Sequence, residues 1–101
     1  MENATDRAES GSEMLHAFDV AVAALSQAGA HRIESVTIAR GWVCMQPADL
    51  SDGERIAREL ALDMPLDHRM TEPGYTVWSG DRDRLEVQVR AALRQRDRAL
   101  L

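Results

Sequence analysis

The sequence predicts an α+β fold: a single domain of element order α-β-β-α-β-β. A four-stranded antiparallel sheet carries two helices on one face and is followed by a short basic C-terminal tail or helix. Three observations lead there. Apolar residues recur at helical spacing in two stretches, short runs of alternating apolar and polar residues mark the strands, and these runs come in closely spaced pairs. The 101 residues suffice for one core and no second. Residues 1–10 are polar and expected to be unstructured, residues 11–93 form the domain, and residues 94–101 are the basic tail.

The first helix is predicted over residues 11–28. Ser10 and Glu13 make an S-x-x-E capping pattern, and Met14, Phe18, Ala21, Val22 and Leu25 follow at helical spacing, with Leu15 widening the stripe. Gly29 stands where a left-handed cap would close it. Val36 and Ile38 then alternate with Thr37 and Ala39, a β-branched pattern of period two. Arg40-Gly41 joins this run to Trp42-Val-Cys-Met-Gln46 so briefly that the two must form an antiparallel hairpin, which Pro47 ends.

A second capping pattern, Ser51-x-x-Glu54, opens a helix over about residues 51–62 with Ile56, Ala57, Leu60 and Ala61 on one face. Met64-Pro65 stops it, and residues 63–74, with two Pro and one Gly, read as a loop. Tyr75–Ser79 and Leu85–Ala91 read as a second hairpin about a turn at Gly80–Arg84. The competing reading is one helix over residues 81–99 with Leu85, Val89, Ala92 and Leu93 as its stripe; the strict alternation of Val87 and Val89 favours the strand. The expected core is Leu15, Phe18, Val22, Leu25, Val36, Ile38, Val43, Met45, Ile56, Leu60, Val77, Leu85, Val87 and Val89. A sheet covered on one side leaves the other face open, and Trp42, Tyr75 and Trp78 are candidates for it.

Charge is unevenly laid out. Residues 1–81 hold 6 Arg and 14 acids, and residues 82–101 hold 6 Arg and 3 acids, so a body of −8 precedes an end of +3 within the overall −5. The acidic body repels nucleic acid and anionic membranes at long range, while the basic end can attract an anion locally. All 12 basic residues counted as Lys or Arg are Arg, while Asn and Phe each occur once, a bias expected of a high-GC genome. Arg abundance is therefore weak as a sign of phosphate binding.

The block Gly74-Tyr-Thr-Val-Trp-Ser-Gly80, followed by Leu85-Glu-Val-Gln-Val-Arg-Ala91, resembles the closing hairpin of small uncharacterised actinobacterial α+β proteins. In these a Trp-x-Gly turn precedes an alternating strand. The likeness extends loosely over residues 34–91 and rests on Trp78-Ser79-Gly80. It implies the element order and no activity.

Little in the sequence carries chemistry. The single Cys, Cys44, excludes an internal disulfide and sits mid-strand without an activating base, as a small buried hydrophobe does. His16, His31 and His68 lack the spacing of a metal site. Asp63, Asp67, His68 and Glu72 cluster in the loop without the regular oxygen spacing of a calcium site, so a solvated acidic loop is expected. No Gly-rich phosphate cradle is present. No enzyme, metal or cofactor is implied, and no apolar run approaches the ~20 residues that span a bilayer. The expectation is a cytoplasmic, non-enzymatic protein-interaction or regulatory module that self-associates or holds a protein partner. Its candidate residues are Trp42, Tyr75, Trp78, Arg90, Arg94 and Arg98. The alternative is a small nucleic-acid-associated regulator, because Arg90, Arg94 and Arg98, with Arg96 beside them, would line up as a basic ridge on a helix.

Overall fold

A computed structural model describes residues 4–95. The elements are α1 (Ala4–Ala28), β1 (Ile33–Ala39), β2 (Trp42–Pro47), α2 (Gly53–Glu59), β3 (Met64–His68), β4 (Tyr75–Arg82) and β5 (Leu85–Ala92). The α+β class holds, but the sheet has five strands and is mixed, in the order β1-β2-β5-β4-β3. The two hairpins are present as antiparallel pairs, β1 with β2 and β4 with β5. They meet through β2 and β5, which run parallel, Val43 opposite Val87 and Met45 opposite Val89.

The strand missing from the sequence reading is β3, which pairs antiparallel with β4 at the sheet margin. Pro65 argued for a loop because it donates no ladder bond. An edge strand has one side free of partners and so tolerates it.

α1 packs chiefly on β1 and β2, and α2 on β5 and β4, so both helices cover the same face. The sheet-facing side of α1 is made of Ala17, Val20, Ala21, Ala24 and Ala28, all buried. Small side chains let the helix axis come close to the sheet. Leu15, Phe18 and Val22, expected in the core, lie on the other side of the helix at 67%, 50% and 61% exposure. The helical period is right and its buried face is wrong, because alanine stripes are weaker hydrophobic signals than Leu and Phe. α1 also begins before the Ser10–Glu13 pattern, which is therefore internal to it.

Beneath the helices lie Val43, Met45, Leu85, Val87, Val89 and Trp78, meeting Ile56, Leu60 and Leu62; Leu25, Val36 and Ile38 pack partly against this core. Val77, expected inside, is half-buried on the opposite face. The start of α2 rests on β5 so closely that a Cβ on Gly53 would lie 2.5 Å from the Cα of Ala91. Its preceding turn is capped by Asp49 rather than Ser51: the Asp49 carboxylate accepts from the Ser51 N–H at 2.9 Å and its hydroxyl at 2.7 Å. α2 ends in a Schellman motif, with Leu62 N–H bonded to Ala57 O at 2.8 Å, Ala61 N–H to Arg58 O at 3.1 Å, and Ala61 at φ +59°.

Residues 81–92, the first part of the alternative helix over 81–99, are strand and turn rather than helix. β4 and β5 join through Asp83-Arg84, both at positive φ (+50° and +68°), as tight hairpin turns require.

Candidate interaction surface

The face opposite the helices is covered by no element among the described residues. Strand alternation decides what it displays. One row runs across all five strands: Thr37, Cys44, Gln88, Ser79 and Met64. Trp42 lies opposite Glu86 on one side of that row, and Val77 lies between Arg90 and Leu66 on the other. Tyr75 follows, flanked by Ala92 and His68.

Tyr75 is sandwiched. The His68 ring stacks on it with centroids 4.5 Å apart and 17° between planes, and the Arg90 guanidinium carbon lies 4.2 Å from its ring centre. A guanidinium over an aromatic face is held by the ring quadrupole, and the pair leaves a flat, partly charged patch. Beside it Met64 and Leu66 stand 65% and 63% exposed. These two were missed by the sequence reading. The alternation of Met64, Leu66 and His68 against Pro65 and Asp67 was the available signal.

Trp42 and Tyr75 therefore occupy the open face as expected, and Arg90 joins them from the neighbouring strand. Trp78 does not. It is 8% exposed on the helix-covered side, because it is three residues from Tyr75 and an odd spacing puts strand residues on opposite faces. Arg94 does not join Arg90 on a ridge either: it lies past the end of β5 and turns to Asp67 and Thr76. Its Nε donates to Asp67 Oδ1 at 3.0 Å and Oδ2 at 3.2 Å, and its N–H donates to Thr76 Oγ1 at 3.0 Å. The Thr76 hydroxyl, buried, donates in turn to Asp67 Oδ1 at 2.8 Å, and Arg69 adds a longer contact of 3.4 Å. The Arg94 bonds hold the Asp67 carboxyl below the ordinary carboxylate range, with Thr76 and Arg69 adding to the effect against a smaller opposing effect of burial. Asp67 is thus a structural tie between β3, β4 and the end of β5. Arg96 and Arg98 lie outside the described residues.

Chemistry elsewhere is limited. Burial pushes the Cys44 thiol up, against a smaller opposing effect of Arg90, so the nucleophilic thiolate is disfavoured. A cleft of about 730 Å³ opens between α1 and the two hairpin turns, lined by Glu13, His16, Arg40, Asp83 and Arg84. His16 Nε2–H donates to Asp83 O at 2.7 Å. Among the described residues no three of His, Cys, Asp and Glu come together as a metal-ligand set, and no helix is long and apolar enough to cross a membrane.

Comparison with protein-family models, curated proteins and solved structures finds no match to the chain.

Proposed function

We propose that the protein is a non-enzymatic interaction module that self-associates and offers its open sheet face to a protein partner. One observation carries the reading: Met64 and Leu66, both more than 60% exposed, adjoin Val77 and the Arg90–Tyr75–His68 stack on a sheet face that no element among the described residues covers. Aromatic, Arg and Met side chains grouped on a flat surface are the composition of protein-interface cores.

The alternative of a nucleic-acid-associated regulator has less support, because Arg94 is engaged by Asp67 and Arg90 packs on Tyr75. A salt-titrated gel shift with the Arg90→Ala, Arg94→Ala and Arg98→Ala variants checks it. The leading reading is tested by photo-crosslinking in the native cell, with a benzophenone side chain at position 66 and, as a control on exposed α2 surface, at position 58. Discrete protein adducts at 66 and none at 58 are expected. No adduct at 66, or the same adducts at both positions, overturns it.

A further inference from the structure

The two margins of the sheet differ. In β3, Pro65 removes one N–H group, an ordinary protection against edge pairing. β1 has no Pro, and its bulge and Glu34 sit at its start, leaving the rest of the strand open. Ala39 and Trp42 flank the two-residue turn as its hydrogen-bonded pair, so Thr37 and Ser35 also turn their backbone groups toward β2. Those of Val36 and Ile38 point outward, and no backbone hydrogen bond from another described element meets them. A bulge between Ile33 and Ser35 leaves Ser35–Ala39 as the regular stretch.

The exposed stripe of α1 lies above this same margin. His16 reaches Asp83 and Gln27 reaches Glu59 O and Arg82, so the flank bearing them faces the middle of the sheet. At 100° per residue, Leu15, Phe18, Val22 and Leu25 centre about 150° round the helix from that flank. Their spacing of three, four and three residues is that of a helix–helix seam. Leu25, Val36 and Ile38 are only partly buried. The apolar stripe and the free strand edge therefore form one continuous strip.

We propose that the occupant of this strip is a second copy of the chain, with β1 pairing antiparallel to β1 of the partner subunit and α1 packing antiparallel on its α1. The inference rests on the self-association in the reading above and names its surface. Four features agree on one two-fold axis. The regular stretch of β1 is centred on Thr37, which places Val36 opposite the partner's Ile38 and pairs their outward backbone groups. Glu34, in the bulge, and Arg40, in the turn, flank this stretch at its two ends, so antiparallel pairing about Thr37 brings Glu34 near the partner's Arg40, twice by symmetry. Both are exposed, and neither has an ion-pair partner among the described residues.

The helix seam shares that axis. Its midpoint, level with position 20, lies about 12 Å from Ala28 along α1, and Thr37 lies about 13 Å from Ile33 along β1. Sideways, β1 and β2 lie about 2.4 and 7.2 Å from the axis at normal strand spacing. A helix seated over both lies about 5 Å from it, which sets the two α1 axes about 10 Å apart, the ordinary distance for packed helices.

Sedimentation equilibrium and cysteine crosslinking test this on the full chain. The wild type is expected to dimerise. Phe18→Glu should weaken the dimer at least about a hundredfold, as loss of a central interface aromatic does. Glu34→Arg should weaken it by up to about tenfold, for two exposed ion pairs, and Glu34→Arg with Arg40→Glu should restore it. In a Cys44→Ser background, Thr37→Cys should form an intermolecular disulfide on mild oxidation, since facing non-hydrogen-bonded positions lie within disulfide reach, and Ser51→Cys should not. Circular dichroism confirms that each variant is folded. A dimer that survives folded Phe18→Glu and fails to crosslink through Thr37→Cys overturns this interface and leaves self-association standing. A wild type that is monomeric at every concentration overturns both.

Discussion

Arg94 grips the carboxylate of Asp67 across 27 residues of sequence, its Nε 3.0 and 3.2 Å from the two oxygens. The contact fastens the chain just after β5 to the sheet margin two strands away. Because the carboxyl is held below its ordinary value, near 3.9 in an unfolded chain, its stabilising effect is present above that value and lost as pH falls through the folded one. Asp67→Asn should therefore lower the thermal midpoint at pH 7 by an amount worth at most about 1 kcal/mol, given solvent screening. The gap to wild type should narrow below about pH 4. Melting curves at pH 7 and 3 check both.

Two glycines on helices should respond in opposite directions. Gly53→Ala drives a methyl into the Cα of Ala91, 2.5 Å away, and backbone cannot swing aside. Overpacking of this kind costs about 1–3 kcal/mol. Gly11→Ala meets nothing within 4 Å in α1 and should stabilise by about 0.5–1 kcal/mol. Urea denaturation of both variants measures the contrast.

Ala61 ends α2 in the left-handed region where glycine is favoured. Ala61→Gly should relieve on the order of 1 kcal/mol of backbone strain, seen as a raised denaturation midpoint with an unchanged slope.

The tryptophans separate by fluorescence. Trp42→Phe leaves Trp78 under the helices and should emit to the blue, shielded from acrylamide. Trp78→Phe leaves Trp42 on the open face and should emit to the red and be quenched readily. Trp78→Ala should cost about 3–5 kcal/mol as a core truncation, and Trp42→Ala much less.

Much of this architecture is legible in the residues. Val36 and Ile38, Val43 and Met45, and Leu85, Val87 and Val89 announce their strands by alternation, and Ile56 and Leu60 mark the inner face of α2. Strand parity also places Tyr75 and Trp78 on opposite faces, and only that inference assigns one to the surface and the other to the core. Two features needed three dimensions. The edge position that tolerates Pro65 is a property of strand order. The burial of alanines in preference to Phe18 depends on how near the helix must lie to the sheet. Of the candidate site, Trp42, Tyr75 and Arg90 were readable as single residues. Their grouping with Met64 and Leu66 follows from the long-range order β2-β5-β4-β3.

The parallel seam between β2 and β5 has a consequence for how the chain matures. Val43 and Met45 find their cross-strand neighbours some forty positions later, at Val87 and Val89. A nascent chain that has made α1, β1 and β2 holds half an interior with nothing to close it. Such distant pairing is slow to form. Until β5 is made, the apolar face of β2 has no strand to pair with on that side.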